Sequence, residues 1–370
     1  MNQFLPGIYQ RIRKHWGWLL LVALAVFIHL FSGYPTLVER YYTYGVYPVI
    51  SSVQRFLFGW LPFSVGDLFY AFVVIFLIVR FARLLKTIFK RKATRQYVWI
   101  ALRKIAFFCL SVYVLFNLLW GLNYSRVGIA TQLGLNMQKY SVEELDTLTA
   151  VLQTRLNDYV RIANDGQRGL LKKKRNLFDG SYIAYQKASA TYPFLNYSPK
   201  SIKPSMFSYV GNILGFTGYY NPFSGEAQVN TTVPVFLQPF IACHEIGHQL
   251  GYGKENEANF SGFLACRSQL SPIFRYSVYF DMYNYTIGEL YRKDSIAAKH
   301  FVDGLDPLVK KDFREVREFF NRYQNPIEPI ISWMYSGYLK ANRQPAGKET
   351  YSQVVAFLIA YQKKFGKESL

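Results

Sequence analysis

Three long apolar runs occupy the first third of the chain: Trp16 to Phe31, Phe63 to Val79 and Ile105 to Leu122. Asp67, near the start of the second, is the one acid or base among them apart from His29 in the first. About 20 apolar residues in a helix cross a hydrocarbon layer of roughly 30 Å. The runs are slightly short of that, but Trp16, Trp18 and Trp120 and the flanking lysines and arginines extend their reach. They predict a helical membrane anchor of three spans, at about 16–33, 63–80 and 105–122. The first has the charged start of a secretory signal, yet Leu30 to Pro35 offers no small-x-small cleavage site, so it reads as an anchor.

Beyond the third run the pattern changes. Ser141-Val142-Glu143-Glu144 has the spacing of a capping box and opens a helix to about Tyr159, with Leu145, Leu148, Leu152 and Leu156 on one stripe. Gly166 to Gly180 is polar and basic and predicts a surface loop, followed by a helix from Tyr182 to about Thr191. From Ser208 to Asn230 the chain turns to Gly, Tyr, Phe and Asn, with a turn signal at Asn221-Pro222-Phe223-Ser224-Gly225; this predicts a small β-ribbon. A helix then enters from the apolar Phe240-Ile241-Ala242 and ends at Gly251 and Gly253, and a second runs from Lys254 to Cys266. Further helices are predicted over Pro272 to Arg292, Pro307 to Tyr323, Pro329 to Leu339 and Ser352 to Lys364. The expected organisation is an anchor over 1–122 and an outer, mainly α, α+β domain over 123–370.

Composition agrees with an anchor, since 51% of residues are hydrophobic and 18% aromatic. Few basic residues lie between spans one and two, whereas Arg80 to Lys104 is dense in them. The positive-inside rule therefore puts the N-terminus and that second connection in the cytoplasm, and everything after Asn123 outside, in the periplasm or its equivalent. Residues 1–122 carry 14 basic and 2 acidic side chains, so +12 of the net +20 sits in the span flanks, beside anionic lipid. Lys172-Lys173-Lys174-Arg175 reads as a solvated loop, and no nucleic-acid partner is expected. Cys243 and Cys266 are not expected to bridge, because Cys266 lies about three helical turns, roughly 16 Å, beyond Glu255.

The chemistry concentrates at His244-Glu245-Ile246-Gly247-His248, which spells H-E-x-x-H. Two histidines four apart share a helix face, where both imidazoles reach one metal ion; the glutamate between them suits a general base on metal-bound water. A catalytic zinc needs a third protein ligand. The metzincin spacing would put it at Lys254, and an ammonium cannot coordinate. His15 and His29 belong to the first span and its approach, and His300 stands alone. The carboxylates Glu255 and Glu257 remain; Glu255 shares a face with Asn259, while Glu257 points roughly the other way and stays the alternate.

The string Glu255-Asn256-Glu257-Ala258-Asn259 resembles the second helix of gluzincin metallopeptidases, and especially the E-x-x-A-D element of membrane-embedded peptidases related to the CAAX prenyl protease. That resemblance implies a zincin-like outer domain, Zn2+ held by His244, His248 and Glu255, and Asn259 as the partner that orients one imidazole. Asn stands where Asp is usual, and six residues between His248 and Glu255 demand a tight turn. More widely, the chain resembles an uncharacterised bacterial membrane family that combines N-terminal spans with an H-E-x-x-H-Q-x-G…E-x-E-A-N-F core, here His244 to Phe260. Zincins generally place an edge strand before the active-site helix, where an extended peptide adds to the sheet. Glu226-Ala227-Gln228-Val229-Asn230 is the candidate strand, and Tyr335 and Tyr338 are candidate donors to a developing oxyanion. The expected function is a membrane-anchored zinc metallopeptidase acting on peptides or proteins. Its rivals are a zinc hydrolase of other amides or esters and a zinc-binding membrane sensor; a base at Glu245 favours catalysis.

Overall fold

Several helices in this chain start where proline removes a free N–H of the first turn or a short polar side chain satisfies one. Ser141 and Glu144 form the full capping box, Asp294 and Asp306 cap the helices that follow them, and proline occupies the first turn of four others. The computed structural model describes residues 4–163, 165–342, 344 and 351–370, and these are mainly helical. In chain order the helices are α1 (Phe4–Ser32), α2 (Pro35–Leu37), α3 (Tyr47–Phe58), α4 (Val65–Phe89), α5 (Arg95–Leu119), α6 (Ile129–Gln132), α7 (Val142–Ile162), α8 (Asp165–Leu170) and α9 (Lys174–Thr191). There follow α10 (Ser208–Leu214), α11 (Gln238–Gln249), α12 (Glu255–Ser268), α13 (Pro272–Lys293), α14 (Ser295–Asp303), α15 (Pro307–Tyr323), α16 (Glu328–Ala341) and α17 (Tyr351–Phe365). Three short strands, β1 (Ile202–Pro204), β2 (Gly218–Asn221) and β3 (Glu226–Val229), make one sheet.

The chain divides into two compact units. The first comprises Met1–Tyr47 and Leu68–Arg126. Its helices include three long and apolar enough to cross a membrane, over His15–Ser32, Val65–Phe89 and Arg95–Leu119. The second and third run longer than the apolar runs alone suggest, because the basic residues of 80–104 continue the helices instead of forming a loop. Only residues 90–94 connect them, and Thr94 caps the third. Within this unit α1 packs on α5, with Trp18 edge-on to Phe107 at 5.2 Å.

The second unit comprises Pro48–Asp67 and Val127–Leu370, so the segment Pro48–Asp67 packs with the residues after 127. Leu145, Leu148, Leu152 and Leu156 of α7 are all fully buried, as their spacing requires, and α7 packs along α13. Where a loop was expected over Gly166 to Gly180 the chain forms α8 and the first part of α9, which continues through the helix expected from Tyr182. Leu177, Phe178, Ser181, Ala184, Tyr185 and Ala188 are buried at helical spacing, which outweighs the polar composition. The start of the expected ribbon is also helical, as α10, and only Gly218 onward is extended.

The sheet order is β1-β3-β2, with β1 parallel and β2 antiparallel to β3. Glu226 to Val229 is therefore the central strand, not an edge, and all four of its residues are buried. It is held there by charge. Glu226 pairs with buried Lys203 at 2.8 Å and accepts from the backbone N–H of Gly66 at 2.6 Å, in the first turn of α4, where the helix dipole favours a carboxylate.

Candidate metal centre

The helix α11 is buried along nearly its whole length and stops at Leu250, after which Gly251 takes φ +85°, a conformation open to glycine at little cost. The chain reverses within this turn, and α12 starts at Glu255 and packs back along α11. The approach is close: a Cβ added to Gly262 of α12 would lie 3.0 Å from the backbone N of His244. The tight link foreseen between His248 and Glu255 thus brings the first turn of α12 against the last turns of α11.

In consequence Glu255 meets both imidazoles. Its Oε2 lies 3.4 Å from His244 Nε2 and its Oε1 lies 3.7 Å from His248 Nε2. Tetrahedral ligands about 2.0–2.1 Å from a common ion sit roughly 3.4 Å apart, so these separations suit a shared cation. His244, Glu245 and His248 also present ligand atoms within 4.8 Å of one another. Glu255 faces both Nε2 atoms, one carboxylate oxygen to each.

The other ring nitrogens are fixed. His244 Nδ1 donates to Asn259 Oδ1 at 2.8 Å, and His248 Nδ1 donates to the Tyr252 carbonyl at 2.8 Å. Both bonds hold the proton on Nδ1 and leave Nε2 directed at Glu255, the orientation a metal-binding histidine needs. Asn259, singled out by its spacing from Glu255, reaches His244. The carbonyl of Tyr252 has no sequence signature beyond following the Gly251 turn.

Glu257 turns elsewhere. Its carboxylate meets Lys254 Nζ at 3.5 Å and lies where a side chain on Gly128 would be. Tyr335 Oη donates to Glu255 Oε1 at 2.6 Å, so this candidate oxyanion donor is engaged with the carboxylate. Tyr338 stacks on the Tyr335 ring at 6.1 Å and is part-exposed. His300 is exposed on α14. Cys243 and Cys266 do meet across the two packed helices, because α12 folds back on α11, yet both remain free thiols.

Electrostatics follow from burial. Burial pushes the Glu245 carboxyl up to about 7, against the pull of the two imidazoles, and its Oε2 has no hydrogen-bond partner among the described residues. Burial also works against charge on Glu255, but His248 and His244 beside it hold its carboxyl well below the usual range. For His248, burial opposes the imidazolium, and the Glu255 carboxylate overcomes it and lifts the group to about 9. The beginning of β2 adjoins this pocket: a Cβ on Gly218 would fall 2.5 Å from Glu245 Oε1.

A family model described as "Protein of unknown function (DUF3810)" matches residues 42–359. The chain belongs to this family. The match takes in the whole H-E-x-x-H helix, α12 and Tyr335. No curated protein and no solved structure matches the chain. The cluster in this DUF3810 chain therefore has to be interpreted from its own geometry.

Proposed function

We propose that the protein is a membrane-anchored, zinc-dependent metallopeptidase whose ligands are His244, His248 and Glu255 and whose general base is Glu245. The observation that carries this reading is the convergence of two Nε2 atoms on one carboxylate, at 3.4 and 3.7 Å, beside a second carboxylate, Glu245, whose Oε2 has no hydrogen-bond partner among the described residues. The likeness of Glu255 to Asn259 to the second helix of gluzincins supports the same assignment. Two imidazoles and a carboxylate are a donor set suited to zinc, with a position left open. When bound, the ion supplies Lewis acidity, lowering the pKa of water and polarising a carbonyl.

The protein's own groups do the rest. Glu245, with its carboxyl near 7, accepts a proton from the attacking water and returns it to the leaving amine. Asn259 and the Tyr252 carbonyl hold the imidazoles in one tautomer, and Tyr335 holds Glu255. The sheet edge beside Glu245 is β2, through Gly218, and an extended substrate adding a strand would lie against it. The positive-inside distribution of basic residues supports a site on the outer side of the membrane.

The test compares purified full-length wild type with Glu245→Gln, measuring metal per chain and cleavage of a mixed peptide library, with an ester panel alongside. Equal metal content with peptide cleavage by wild type only is the expected result. Equal metal with ester cleavage alone would move the reading to a different hydrolase, and metal without any turnover would move it to a sensor. Absence of metal in both would remove the centre altogether.

A further inference from the structure

Outside the metal centre, the second unit carries an apolar surface built from three separate segments. Trp60 is 76% exposed, Tyr209 on α10 is 70% exposed and Trp333 on α16 is 76% exposed; Phe56, Val210 and Ile330 are exposed beside them in sequence. The segments are tied together. Lys203 Nζ donates to the carbonyls of Phe58 and Phe63, the backbone N–H of Met206 donates to Asp67 Oδ2 at 2.7 Å, and α10 packs on α16, with Asn325 Nδ2 donating to the Ile213 carbonyl at 2.7 Å. Charge is confined to its margins, at Glu328 and Lys340 at the two ends of α16. No acid or base occurs from Pro204 to Gly225 or from Pro329 to Leu339, and the two in Pro48–Asp67, Arg55 and Asp67, are buried.

Soluble surfaces seldom leave so much aromatic area uncovered without a partner. Chain continuity says which partner. The segment that exposes Phe56 and Trp60 runs directly into α4, an apolar helix of 25 residues long enough to cross a membrane, so these side chains lie within about ten residues of the start of that helix. The first turn of α4 is also tied to the chain before α10: Asp67 accepts from Met206 at 2.7 Å and from the Tyr219 hydroxyl of β2 at 2.6 Å. Uncharged surface with tryptophan and tyrosine at its rim suits the headgroup region, where such rings keep an apolar body in lipid and a polar edge in water.

We infer that this face of the second unit, formed by residues 56–63, α10 and α16, rests in the membrane surface as an interfacial contact additional to the three spans. α16 also carries Tyr335, whose hydroxyl holds Glu255, so the contact reaches the metal centre through one helix. For the hydrolase proposed above, this selects substrates tethered at the same surface; that corollary rests on the metallopeptidase reading, whereas the lipid contact does not.

The experiment uses full-length protein in phosphatidylcholine–phosphatidylglycerol vesicles. Cys243 and Cys266 are fully buried, so Cys109→Ser gives a background for labelling single cysteines at Val210→Cys and Trp333→Cys with an environment-sensitive fluorophore. Ile296→Cys, 84% exposed and flanked by Asp294 and Lys299, is the aqueous reference. At 210 and 333, nitroxide lipid labelled near the headgroup is expected to quench several-fold more than at 296, and aqueous iodide several-fold less. Iodide quenching equal to that at 296 would overturn the inference. Protection from both quenchers would overturn it too, by showing a protein partner or a second copy on this face. Neither readout depends on metal or turnover, so the two proposals fail separately.

Discussion

Tyr335 donates its hydroxyl to Glu255 Oε1 at 2.6 Å, across 80 residues of sequence, and its ring stands edge-on to Phe216. The bond holds the carboxylate that faces both imidazoles. Removing it while keeping the ring, as in Tyr335→Phe, is expected to leave the fold intact and weaken metal binding about 10–100-fold, the usual consequence of losing a group that orients a ligand. Competition against a fluorescent chelator measures this. An unchanged affinity would show that Glu255 is positioned without Tyr335.

Asn259 makes the corresponding bond to His244 at 2.8 Å and also accepts from Tyr285. Asn259→Leu removes the acceptor and is expected to weaken metal binding by about 10–100-fold. Asn259→Asp keeps the geometry and adds a charge that makes the imidazole more basic, so its affinity should match or exceed wild type. The opposite ranking in a metal titration would remove Asn259 from the centre.

The contrast between these residues explains what was legible in the sequence. His244, His248, Glu255 and Asn259 lie within two consecutive helices, so helical spacing aligns each pair and the short Gly251 turn brings the pairs together. Tyr335 was one of two tyrosines proposed for an oxyanion, and its actual bond depends on how α16 packs from far along the chain. The position of β3 was hidden for another reason. Its partner β1 is a three-residue strand ending in proline, and Glu226 looks like a surface charge until Lys203 and the start of α4 are seen to bury it. In α9 the signal was present, as apolar residues at helical spacing, but lysines around them suggested a loop.

Metal binding should depend on pH through His248. Without metal, burial opposes its imidazolium but Glu255 raises the group to about 9, so it carries a proton at neutral pH that the metal must displace. From pH 6 toward 9 this group alone should tighten apparent binding by up to about tenfold per unit, with the gain ending as pH passes about 9. Dissociation constants measured at pH 6, 7 and 8 check the sign. A flat profile would mean that His248 is already neutral in the metal-free protein.

Asp281 on α13 provides a prediction independent of the metal. Burial raises its carboxyl from 3.8 to about 8, and its Oδ2 has no hydrogen-bond partner among the described residues. Between those values the folded chain holds a proton that the unfolded chain has released, so this group favours folding most below pH 4 and progressively less as pH rises to about 8. Asp281→Asn keeps the shape and abolishes the titration. The variant should therefore melt at a higher temperature than wild type at pH 8, with the difference shrinking toward pH 5. A constant difference across that range, measured in the same detergent, would show that Asp281 is ionised in the folded protein and has a partner of opposite charge.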